Sequence, residues 1–90
     1  MSKSNLKVLL GNNSITFRLY NTDIVRILKD KIEFNSGGYR TSLTRRTINN
    51  IMQENNIPIS IFQHDRTWRI IVESKIQLFQ DGMQIDKTWI

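Results

Sequence analysis

The residues best suited to chemistry lie between Asn35 and Gln53. Arg40, Arg45 and Arg46 gather there with Thr41, Ser42 and Thr44, behind the pair Gly37-Gly38, and no acid occurs from Phe34 to Gln53. Guanidinium groups beside the unpaired N–H groups of a helix start make an anion site, because the helix dipole and the side-chain charges add. The glycine spacing fits neither a P-loop nor a dinucleotide fingerprint, so nucleotide binding is not indicated. Arg46, Asn49, Asn50 and Gln53 are side-chain types that pair with base edges in a major groove. Arg40 and Arg45 would then hold phosphates, and Tyr39 beside Arg40 could stack on a base or a partner. A plainer reading stands beside each of these. The glycines form a strand-to-helix elbow, the hydroxyls are caps, the polar helix side is solvated, and Tyr39 packs on the elbow with its hydroxyl wet.

Catalysis finds little support. The one His64 falls in a turn beside Asp65, with no cysteine anywhere in the chain. A zinc site needs several such ligands. A Ser-His-Asp set could be assembled only by free choice among the serines, and the carboxylates are scattered. No enzyme, no cofactor and no metal are expected.

These side chains must be positioned by a helix of about residues 42–55. Thr41 or Ser42 can cap it, without the Glu or Gln that would complete a capping box. At 100° per residue, Thr44, Ile48, Ile51, Met52 and Asn55 share one side. Arg46, Asn49, Asn50 and Gln53 share the other, with Arg45 at the flank. Asn55-Asn56 and Pro58 end the helix.

Everything else has strand character. Leu6 to Leu10 leads through Gly11-Asn12-Asn13-Ser14 into Ile15–Tyr20, where Ile15, Phe17 and Leu19 face inward and Tyr20 outward. Asp23–Leu28 is apolar on both faces, which suits a central strand, and Lys31–Asn35 turns Ile32 and Phe34 inward. After the helix, inward rows are expected from Ile57, Ile59 and Ile61 and from Trp68, Ile70 and Val72. Ile76–Phe79 follows, and Met83 with Ile85 offers a last short strand. The expected fold is α+β: an antiparallel, curved sheet of about seven short strands, order β-β-β-β-α-β-β-β, with the helix on one face. A small, partly open barrel plugged by the helix is the alternative.

Ninety residues make one domain, 1–90, with loose ends at 1–4 and 86–90 unless Trp89 docks on the core. The net charge of +5 lies entirely in residues 1–56, which hold nine Lys and Arg against four Asp and Glu, while residues 57–90 hold four of each. Such a charge suits phosphate or an acidic protein surface, and it also keeps a small domain soluble. No apolar run reaches membrane-spanning length, and Met1–Asn5 lacks a signal-peptide core. The expectation is a cytoplasmic protein without a membrane partner.

The segment Asn35-Ser-Gly-Gly-Tyr-Arg-Thr41, with Arg46-Thr-Ile-Asn49 after it, resembles a group of small bacteriophage-encoded proteins that share the shape N-[ST]-G-G-[WY]-x-T and a basic stretch ending in Ile-Asn. Asn21–Val25 is similar to their Asn-Thr-Asp-[IV]-Val strand. Phe62-Gln63 with Trp68, and Phe79 with Asp81, Gly82 and Met83, match later elements in order. Leu43 and Thr47 depart from the pattern, where Thr and Arg are usual. The resemblance implies a phage origin, hence the host cytoplasm, and no mechanism.

The leading expectation is a small phage-type protein contacting DNA or RNA through Tyr39, Arg40, Thr41, Ser42, Arg45, Arg46, Asn49, Asn50 and Gln53. The alternative is a protein–protein module, such as an inhibitor of a host enzyme or defence complex. It would use the same patch on an acidic surface or an exposed strand edge. A small virion or assembly component comes third, and a homodimer is compatible with each.

Overall fold

A computed structural model describes residues 5–87. Among these residues are eight strands and one helix: β1 (Leu6–Gly11), β2 (Ser14–Leu19), β3 (Thr22–Ile27), β4 (Lys31–Phe34), α1 (Ser42–Glu54), β5 (Ile59–His64), β6 (Thr67–Val72), β7 (Lys75–Leu78) and β8 (Gln84–Asp86). The α+β class and the antiparallel pairing are as expected. The strands divide between two sheets, β1-β2-β3-β4-β8 and β5-β6-β7, and neither closes on itself, so no barrel forms. The physical reason is local: two-residue turns pair β5, β6 and β7 among themselves, and only β8 returns to β4. The chain falls into two compact units. One runs to Gly38 and resumes at Gln80, and the other is Tyr39–Phe79.

In the first unit, two apolar rows cross the sheet in register. Val8, Phe17, Val25 and Phe34 form one, and Leu10, Ile15, Ile27, Ile32 and Ile85 the other. Burial deepens along them, from Val8 and Leu10 at 53% and 79% exposed to Ile32 and Phe34 in the core. The opposite face is laced by charge. Arg18 donates to Asp23 at 2.6 Å and Arg26 to Glu33 at 2.7 Å, while Gln84 donates to the other oxygen of Glu33. The Asp23 carboxylate, through its hydrogen bond and its charge, raises the Arg18 pKa above its ordinary value. A bulge makes Ile24 the extra residue of β3, since Phe17 pairs Val25 and Arg18 pairs Asp23. That bulge is why both Ile24 and Val25 are buried in this central strand. Tyr20 is not a strand residue. It sits in the β2–β3 turn at φ 55°, exposed, its hydroxyl accepting from Asn5.

In the second unit, Thr41 caps α1 by accepting from the Thr44 N–H at 3.2 Å. Thr44, Ile48, Ile51 and Met52 are buried as the helical period requires. Asn55, expected on that side, is instead exposed. As the C-cap it turns its side chain back to donate to Ile51 O at 2.8 Å, and Asn56 takes the left-handed conformation at φ 56°. Helix α1 packs on β5. The buried face of the sheet holds Ile59, Ile61, Trp68 and Ile70, and Phe79 meets Trp68 edge-on at 5.2 Å. Each such apolar side chain contributes about 1.5–3 kcal/mol. Ile57 precedes β5 and, like Val72, is only half-buried. Both hairpin turns, Asp65-Arg66 and Glu73-Ser74, have positive φ at both residues, the twist that suits two-residue loops. Residues 1–4 and 88–90, where loose ends and the docking of Trp89 were expected, lie outside the described residues. Asp86 belongs to β8, and the Lys87 N–H donates to Asp30 O at 3.0 Å.

Candidate functional site

The elbow before α1 is held from within. Ser36 donates both its N–H and its hydroxyl to one oxygen of Asp81, at 2.7 and 2.8 Å. The Gly37 N–H goes to Asn35 Oδ1 at 2.7 Å, and the Gly38 N–H to Ser36 Oγ at 3.2 Å. Three amides that could have cradled an anion are therefore occupied. The acid-free stretch of sequence acquires a carboxylate from 45 residues away. Both glycines take positive φ, 65° and 84°, which the sharp redirection of the chain requires.

The three arginines behind the elbow have different surroundings. The Arg40 guanidinium lies over the rings of Phe79 and Trp68, 5.2 and 5.8 Å from their centroids. Arg45 Nη1 donates to Gln63 Oε1 at 3.0 Å, near the end of β5. Arg46 points to solvent with Asn50 and Gln53. No carboxylate among the described residues pairs with Arg45 or Arg46. Tyr39 is 68% exposed, and Thr41 and Ser42 are exposed as well, although the Thr41 hydroxyl is engaged in the cap.

Asn49 departs from the role assigned to it. Its Nδ2 donates to Ile61 O at 2.9 Å and its Oδ1 accepts from the Ile61 N–H at 2.7 Å. A helix side chain thus completes the outer edge of β5 in the manner of a neighbouring strand. Each arm of the amide is engaged once by the fold, which holds the side chain against β5.

A second surface lies on the sheet itself. The registers Phe62–Arg69–Leu78 and Ser60–Ile71–Ile76 place these residues on the face opposite Ile61, Trp68 and Ile70. Ile76 and Leu78 are 60% and 51% exposed, and Phe62, Arg69 and Ile71 are half-buried. At the β5 edge this face meets an open groove of about 420 Å³, lined by Asn49, Gln53, Ile57, Pro58, Ser60 and Ile71. The signal was present in the chain. A two-residue turn at Glu73-Ser74 pairs Val72 with Lys75, which sends Ile76 and Leu78 away from the side of Trp68 and Ile70.

A family model described as Kyanoviridae Gp96 protein matches residues 1–86. The chain belongs to this family. It is a small phage protein, as the resemblance implied. No curated protein and no solved structure matches it. No helix among the described residues is long and apolar enough to cross a membrane.

Proposed function

We propose that this phage protein is a protein-binding module that docks its partner on the outer face of β5–β7. The observation that carries the reading is the contiguous exposure of Ile76 and Leu78 beside Phe62 and Ile71, leading into the groove at Pro58 and Ser60. A single unit of this size gains nothing by wetting such side chains, and apolar patches of this kind mark interaction surfaces. The helix entrance supports the nucleic-acid reading less well, because Arg40 and Asn49 are engaged within the unit and the elbow amides are satisfied. That reading retains Arg45, Arg46, Asn50 and Gln53, and what favours it is that neither arginine has a carboxylate partner among the described residues.

Capture from host lysate separates the two. A protein that stays on the wild-type chain after nuclease treatment, and is lost from a folded Ile76→Ser/Leu78→Ser variant, is the expected result. Retention that vanishes with nuclease and is indifferent to Ile76 and Leu78 overturns it.

A further inference from the structure

Arg69 stands inside the apolar face, between Phe62 and Leu78 in its cross-strand row. Its Nε is buried and has no hydrogen-bond partner, and no carboxylate among the described residues pairs with the guanidinium. Its same-face neighbours Phe62, Ile71, Ile76 and Leu78 carry no acid. A guanidinium remains charged at any physiological pH, and leaving one of its donors unpaired among apolar groups costs free energy. We propose that the docked partner presents an aspartate or glutamate to Arg69, set among apolar residues of its own. This rests on the docking reading above and adds the partner's chemistry.

The planar fork of arginine matches a carboxylate through two parallel hydrogen bonds. The surrounding side chains would exclude water from that pair, as the rim of a binding hot spot does. A second copy of the chain is a poor occupant. Its equivalent face brings another arginine and no acid, so like charges would meet.

The test uses the full chain and an array of nine-residue peptides. Apolar and polar residues alternate around a central position set to Glu, Asp, Gln or Lys. Glu and Asp members should retain the chain roughly tenfold or more over their Gln counterparts, the scale of a hydrogen bond to a charged group. Arg69→Gln should lose the preference and Arg69→Glu should move it to the Lys members, with circular dichroism checking that each variant is folded. The wild-type contrast between Glu and Gln needs no variant, so it decides even if both substitutions unfold the chain. Equal retention of Glu and Gln members, or retention of none, overturns the proposal, as does a dimer in sedimentation that Ile76→Ser/Leu78→Ser dissolves. Lysate capture that still depends on Ile76 and Leu78 would leave the docking surface standing while the carboxylate is discarded.

Discussion

Asn49 occupies a position where an amide has two uses, and the strand beside it takes up one of them. Ile61 presents its N–H and C=O at the outer edge of β5, and the Asn49 side chain answers both. Asn49→Ala should destabilise the chain by about 1–3 kcal/mol, because two backbone groups lose their partners in a part-buried place. Urea unfolding measures this, and Asn50→Ala, on the exposed side, serves as the neutral comparison. Helical periodicity put both asparagines on the polar side, correctly as angles. It says nothing of how near a neighbouring strand edge lies, and that distance decides whether an amide reads a partner or serves the fold. The arginines teach the same lesson. Their positions in the chain were legible, yet the ring pair that draws Arg40 and the Gln63 that draws Arg45 are contacts made only on folding.

Among the elements, the elbow is the one whose tolerance can be ranked in advance. A Cβ on Gly37 would lie 2.5 Å from Thr22 Oγ1 and 2.8 Å from its methyl carbon, at φ +65°. A Cβ on Gly38, at φ +84°, meets nothing within 4 Å. Gly38→Ala should therefore cost about 1 kcal/mol from backbone strain alone, and Gly37→Ala appreciably more, since crowding adds to strain. Thermal melts of the two variants check the order. Elements with strong local signals were legible: α1 within a residue, its threonine cap, the alternation of β2 and the turns at Asp65 and Glu73. The partition of strands into two sheets was not, because alternation names the inward face of a strand without naming its neighbour. The exposure of Ile76 and Leu78 was hard to read for a related reason. Strand character in Ile76–Phe79 does not say which side chains face with Trp68; the register through the Glu73-Ser74 turn does.

The net charge of +5 belongs to the whole molecule, yet at the helix start little of it is free. If nucleic acid is bound there, Arg45 and Arg46 are the cations left for phosphate. The binding constant should then fall with salt at a logarithmic slope of only about −2. A shift assay with mixed DNA and RNA over a salt series measures the slope, and Arg45→Glu with Arg46→Glu should abolish any shift. A much steeper slope would assign the contact to cations elsewhere in the chain.

The pairing of β4 with β8 also bears on how the protein is made. Glu33 and Gln84 are 51 residues apart, and the β5–β7 hairpins lie between them. While translation is in progress, β4 carries a bare rim that no later segment can occupy until Asp86 has cleared the ribosome. During that interval the N–H and C=O groups along β4 form an open sheet edge, with which any extended polypeptide nearby can pair.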